Sequence, residues 1–292
     1  MKKYNYMCTL QPNHGFGAYF FVTLATIKYC VDNDIEIYVD IRSDGYAESL
    51  GINCWNKVFH QSFGISQEEA GALETVYNFD LIGHPTGAYG TITPDTGYWN
   101  LHYVSGDVSN RLYWRDTNFL DGYREIVNNF VVVRDDVRGR ADKFLKQYNG
   151  KTILGLHKRG RSHFINGHGN GQGIHTNISV VTDLVEKEID RYDYLYITSD
   201  EPSTYQVFKA MYGDKVIYCD DKTQYSQHWD DLNRHELTGT QKEELLYNLM
   251  VEILILSQCD RRLLTSSNVS HMSLLFSEKN DFKFYDDAVY YY

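Results

Sequence analysis

The chain has 292 residues, 42% of them hydrophobic and 23% charged, the values of a folded globular protein with room for two compact domains. A formal net charge of −11 speaks against nonspecific nucleic-acid binding, which needs an electropositive surface, so no nucleic-acid partner is expected. No stretch approaches the ~18 apolar residues of a membrane span, so no transmembrane segment is expected.

In chain order, Tyr4 to Leu10 reads as a strand, followed by a Gly15-Phe16-Gly17 turn and a helix from Ala18 to Val31. Met1 to Tyr6 are not followed by an apolar run, so no signal peptide is expected. Glu36 to Ile41 (EIYVDI) is a second strand. Residues 42 to 118, rich in Gly, Tyr, Asn and Asp, carry no readable periodicity. Asp135 to Tyr148 reads as a charged helix ended by Asn149-Gly150, which places a domain boundary at residue 150.

The second half alternates more clearly. Lys151 to His157 (KTILGLH) is a buried strand, Ile178 to Arg191 has helical spacing, and Tyr192 to Ser199 is another strand. Pro202 suits the first turn of a helix that continues from Ser203 to Tyr212. Lys215 to Cys219 is a strand, Gly239 to Gln258 a long helix, Arg262 to Thr265 a strand, Asn268 to Phe276 a helix and Phe282 to Tyr285 a last strand. Strands alternating with helices of this length predict βαβ units and a parallel sheet, which binds ligands beyond the carboxyl ends of its strands.

An acidic chain that binds a diphosphate must concentrate positive charge locally. His157-Lys158-Arg159-Gly160-Arg161-Ser162-His163 packs three cations and two histidines into seven residues directly after a strand. A guanidinium there can bond two phosphate oxygens at once, although a solvated basic loop would read the same way. Thr265-Ser266-Ser267-Asn268 stands between a strand and a helix, where backbone N–H groups and the dipole favour an anion, or where the hydroxyls simply cap the helix. Ser199-Asp200-Glu201-Pro202 offers carboxylates at a strand end, for a ribose or base edge or as ordinary acids of a helix N-terminus. Gly15 and Gly17 would let backbone approach a ligand closely, though glycines are common at tight turns.

Taken in this order, the segments resemble the metal-independent fucosyltransferases: the α1,6-fucosyltransferases, including the bacterial nodulation type, and more distantly the protein O-fucosyltransferases. The family's His-x-Arg-Arg/His motif reads here as His157-Lys158-Arg159-Gly160, and its Thr-Asp-Asp-Pro segment as Ser199-Asp200-Glu201-Pro202. Its last motif looks like Glu252, then Ser257-Gln258-Cys259-Asp260, then Ser266-Ser267-Asn268-Val269. The likeness covers residues 151–277 well and the first ~30 weakly. Gly160 stands in place of the second motif arginine, with Arg161 one place later, Glu252 replaces an aspartate, and Ser162-His163 replace the usual Asp-Lys.

The resemblance implies a GT-B fold, two Rossmann-like α/β domains with a donor/acceptor cleft between them. Residues 1–150 would form the acceptor-side domain and 151–292 the domain for a nucleotide-sugar donor, GDP-fucose. Arg159 would hold the β-phosphate. His157, Arg161, Asp200, Glu201, Glu252, Ser266, Ser267, Asn268, Gly15 and Gly17 would complete the donor site. The partner is a glycan or glycoconjugate acceptor, and no cofactor or metal is implied. Inverting transfer needs a base for the acceptor hydroxyl, and His163, His168 and His175 in the Gly-rich loop are candidates, with a carboxylate from residues 42–148 as an alternative.

Other readings remain open at this level. The histidines fit no tight metal-binding spacing. Asp32-Asn33-Asp34 precedes a strand, whereas a metal-dependent GT-A transferase would carry its Asp-x-Asp at a strand's end. A catalytically inactive nucleotide-sugar or glycan-binding module, or a transferase using another GDP- or UDP-linked sugar, is the alternative function. The five dispersed cysteines form no CxxC pair and read as buried thiols of a cytoplasmic protein.

Overall fold

The computed structural model describes residues 1–10, 15–78, 80–81, 116–159, 177–219 and 237–285. Within them the chain forms two compact units, one built mainly from its first half and one mainly from its second.

In unit 1, β1 (Lys2–Cys8) leads to α1 (Phe16–Asp32), and β2 (Ile35–Ile41) follows. The short helices α2 (Trp55–Val58) and α3 (Gln67–Gly71) precede β3 (Thr75–Tyr77), and α4 (Thr117–Phe130) comes later. The three strands are parallel, in the order β2-β1-β3. α1 is buried almost all round from Phe16 to Ile27, which its near-continuous apolar sequence requires. Phe16, Phe20, Trp55 and Phe59 stack into one aromatic cluster around it. α1 ends in a turn in which the Asn33 side chain donates to Tyr29 O and Asp34 takes φ +57°, a conformation aspartate tolerates. Asp32-Asn33-Asp34 is therefore a helix-stop turn, and Asp32 pairs with Lys28.

β2 is the edge of its sheet, and edges need covering. Two side-chain amides do this: Gln61 bonds both the N–H and the C=O of Val39, while Asn53 accepts from Ile41 N and donates to Val39 O. The stretch after β2, unreadable by periodicity, acts here as a substitute strand.

Unit 2 takes most of α5 (Asp135–Lys146), then β4 (Ile153–Lys158), α6 (Ile178–Glu186), β5 (Tyr194–Ser199), α7 (Pro202–Tyr212) and β6 (Val216–Ile217). α8 (Gly239–Gln258), β7 (Arg261–Leu264), α9 (Asn268–Leu275) and β8 (Phe282–Phe284) complete it. The chain passes from unit 1 to unit 2 inside α5, between Val137 and Arg138, and α8 as far as Tyr247 belongs to unit 1. The helix expected to reach Arg191 stops at Glu186, and a 3-10 turn at Ile189–Arg191 follows, which puts Ile189 in the core.

The five strands of unit 2 are parallel, in the order β6-β5-β4-β7-β8. The order runs outward in one direction from β4 through β5 to β6, then restarts on its other side with β7 and β8. Ligands of open α/β sheets bind where the order reverses, beyond the carboxyl ends of the strands. In this sheet that point lies between β4 and β7. All six residues of β4 are buried. Leu154 and Leu156 pack with Val181, Leu195, Phe208 and Leu263. Gly155 lets the end of α8 approach: a Cβ there would meet Cys259 Cβ and Leu256 Cδ1 at 2.9 Å.

Two predictions follow from this packing. Gly155→Ala is expected to lower stability by about 1–3 kcal/mol through overpacking, seen as a reduced urea midpoint; an unchanged midpoint would contradict the close approach. Burial pushes the thiols of Cys8, Cys30 and Cys259 up to about 12 and that of Cys54 up to about 11, while Cys219 is only half-buried. A colorimetric thiol titration at pH 8 is expected to label Cys219 fast and the other four only after unfolding.

Candidate active site

Three loops leave the carboxyl ends of neighbouring strands in unit 2, and the register places those strand ends side by side. His157 of β4 is level with Thr198 of β5 and with Leu264 of β7. The basic, acidic and hydroxyl-rich segments therefore open at one edge of one sheet.

His157 is only 4% exposed. Its Nδ1 lies 2.7 Å from Ser270 Oγ and 3.3 Å from Ser267 Oγ. Its backbone oxygen accepts from Tyr285 OH at 2.9 Å and from Thr265 N at 3.2 Å. Ser267 is the N-cap of α9 and accepts from Ser270 N, so the cap hydroxyl sits between the helix and the imidazole. The histidine thus fastens the start of α9 to the end of the central strand. Asn268 is the first residue of α9, and Ser266, 4% exposed, immediately precedes the cap.

Lys158, also buried, forms an ion pair with Glu201 at 2.5 Å. Arg159, half-buried, has its Nε 3.8 Å from Asp200 Oδ2. The two acids after β5 therefore meet the two cations at the end of β4. Their loop is held by Ser199, whose oxygen accepts from Tyr205 OH, whose N–H donates back to that hydroxyl, and whose Oγ accepts from Glu201 N. Glu252 on α8 is 2% exposed and accepts from Thr198 Oγ1 at 2.8 Å, so this carboxylate also stands at the end of β5. Two residues before Thr198, burial drives the Tyr196 phenol well above its ordinary range and keeps it neutral.

The structure brings His157, Arg159, Asp200, Glu201, Glu252, Ser266, Ser267 and Asn268 to this sheet edge. Arg161, His163, His168 and His175 lie outside the described residues. Gly15 and Gly17 belong to unit 1: Gly15 precedes α1, whose first N–H, that of Phe16, donates to Tyr46 OH at 2.9 Å, and Gly17 is buried inside the helix. Asp260 has a structural task at the opposite end of the sheet, accepting from Ile153 N at 2.8 Å. Among the described residues no group of three or more His, Cys, Asp or Glu side chains is placed to hold a metal ion, and no helix is long and apolar enough to cross a membrane.

Sequence reasoning missed three participants. Lys158 passed for one more cation of a basic loop, although as the last residue of a buried strand it needed a buried partner. Tyr285 and Ser270 lie far along the chain from His157, and no local pattern signals their hydrogen bonds to it.

No family model matches the chain, and no curated protein is similar to it in sequence. Solved structures are similar in fold. NodZ α-1,6-fucosyltransferase soaked with GDP-fucose matches over 94% of this chain and 93% of its own, with a TM-score of 0.53 at 12% identity. The selenomethionine form of the fucosyltransferase NodZ from Bradyrhizobium covers the same shares, with a TM-score of 0.55 at 14% identity. POFUT1 in complex with GDP aligns over 96% of both chains at 12% identity and a TM-score of 0.47. This chain thus shares with the NodZ fucosyltransferase an α/β fold of parallel sheets.

The Lys158–Glu201 pair gives a direct test of the site's scaffold. Lys158→Met, which strands a mostly buried carboxylate, is expected to cost about 3 kcal/mol in urea unfolding, and the double change Lys158→Met with Glu201→Leu should restore most of it. Equal losses in the single and double variants would show that the pair is not coupled.

Proposed function

We propose that this protein is an inverting, metal-independent glycosyltransferase that moves a sugar, L-fucose from GDP-fucose, onto a hydroxyl of a glycan or glycoconjugate. The observation that carries the reading is the position of Arg159. It leaves the central strand at the point where the strand order reverses, two residues beyond a histidine whose ring touches the N-cap of α9. A guanidinium and a helix N-terminus at one sheet edge are a matched pair for a diphosphate. The NodZ structure soaked with GDP-fucose, similar over nearly the whole chain, supports the choice of donor.

In this reading unit 2 binds the donor and unit 1 the acceptor, as two Rossmann-like domains of a GT-B transferase with the reaction in the cleft between them. The bond from the sugar's anomeric carbon to the β-phosphate oxygen breaks, and its electron pair stays on the diphosphate. The acceptor oxygen forms the new bond on the opposite face, and its proton goes to a base, with His163 and His175 as candidates. Arg159 and the first turn of α9 stabilise the charge that grows on the leaving diphosphate. Preorganised donors aimed at developing charge are the main catalytic resource for such a step.

The remaining residues have supporting parts. Asp200, beside Arg159, holds the guanidinium near the strand end. Glu252, fixed by Thr198, is placed for the nucleoside. His157 keeps Ser267 and Asn268 in register with the phosphates, and Arg161 adds a second cation. A cytoplasmic location is part of the proposal, and the free thiols of Cys8, Cys30, Cys54, Cys219 and Cys259 support it.

The test is transfer and hydrolysis of GDP-fucose by wild type and by Arg159→Ala, with EDTA present. Wild type is expected to turn over and the variant to lose at least about 100-fold, the loss typical of one removed oxyanion donor. GDP binding without turnover in wild type would leave a nucleotide-binding module in place of an enzyme. Equal turnover by both proteins would remove Arg159 from the mechanism.

A further inference from the structure

Unit 1 contains a cavity of about 780 Å3, within the ~300–1,000 Å3 usual for small-ligand sites. Its floor is one face of the β2-β1-β3 sheet. Tyr38 and Asp40 alternate along β2 and project to the same side, Arg42 lies just beyond the end of β2, and Asn5 of β1 is the register partner of Tyr38. The wall includes Asn56 and, from α8, Tyr247.

Three polar atoms of this floor are buried and have no hydrogen-bond partner among the described residues: Asp40 Oδ1, Asn5 Oδ1 and Arg42 Nε. Asp40 is only 2% exposed, and its other oxygen is taken by Arg42. A buried polar atom left without a partner costs about 1–3 kcal/mol, so such a set points to a ligand that completes it.

The set also specifies the ligand's chemistry. Two atoms accept and one donates, which a hydroxyl-bearing ligand satisfies because each hydroxyl does both. Three cations (Arg42, Lys57, Arg134) face four carboxylates (Asp40, Asp136, Glu243, Glu244) on the lining, which argues against an anionic ligand. Arg42 neutralises Asp40, and Lys57 is paired with Glu243 and Arg134 with Asp136 on the same walls. Tyr38 and Tyr247 add aromatic surface with a polar tip. The frame is rigid, because Asn56 donates to Tyr38 OH at 2.9 Å and the two amides described above clamp the edge of β2.

We propose that this cavity is a binding site for a neutral saccharide, held through Asp40, Asn5 and Arg42. Its role as the place where unit 1 grips the acceptor glycan rests on the transferase reading; saccharide binding itself does not.

The experiment is saturation-transfer difference NMR on the full chain with lactose, maltotriose and chitotriose, and with glucuronate and inorganic phosphate as anionic controls. GDP binding is measured on the same samples by calorimetry. At least one neutral saccharide is expected to bind, and Asp40→Asn, at an unchanged melting temperature, to weaken it at least 10-fold without altering the GDP affinity. Asn5→Ala serves as the second variant if Asp40→Asn does not fold, with the same expectation. Absence of binding by all three saccharides, tighter binding of the anions, or saccharide affinity unchanged in the variants would overturn the proposal. If GDP binds and no saccharide does, this inference fails and the donor reading stands. If saccharide binds through Asp40 and GDP does not, the cavity stands and the transferase reading fails.

Discussion

β4 is buried along its whole length, with a strand on each side, and it runs directly into the most cationic segment of an acidic chain. That is the constraint on which the rest of unit 2 depends. A strand so placed cannot expose its last polar residues to water, so each must find its partner inside the fold. His157 finds Ser267 and Ser270, Lys158 finds Glu201, and the backbone oxygen of His157 finds Tyr285 and Thr265. Each contact draws a different element to the strand's end: α9, the loop after β5, and the chain just beyond β8. The site is assembled by the burial needs of two side chains.

Charge balance follows the same logic. Lys158 and Arg159 stand next to each other, yet their environments differ. Lys158 is buried and committed to Glu201. Arg159 is more exposed and sits at 3.8 Å from Asp200, looser than a direct hydrogen bond. Lys158 is the last residue of β4, and Arg159 is the first residue beyond it.

The sequence made the alternation of unit 2 legible because its strands are apolar runs and its helices carry periodic apolar faces. Gly239 to Gln258 and Pro202 to Tyr212 were readable to the residue, since Pro at a first helical turn and a long apolar period are local signals. Segments 157–159, 199–201 and 266–268 were legible as three separate pieces, and strand order alone brings them together. The Lys158–Glu201 pair was not legible, because it depends on Lys158 being level with Ser199 across two strands. The stretch after β2 was opaque for a similar reason: Asn53 and Gln61 do the work of a strand through side-chain amides, which leave no period in the sequence. The break between units falls inside α5, while Asn149-Gly150 marks only a local stop, where Gly150 takes φ +75°.

The proposed donor site puts a nucleoside diphosphate where the strand order of the second sheet reverses. The most direct measurement is a crystal structure of the protein with GDP at saturation. Phosphate oxygens are expected within about 2.7–3.2 Å of the Arg159 guanidinium and of backbone N–H groups in the first turn of α9, with His157 still bonded to Ser270. A diphosphate bound elsewhere on the chain, or none at saturating GDP, would contradict it.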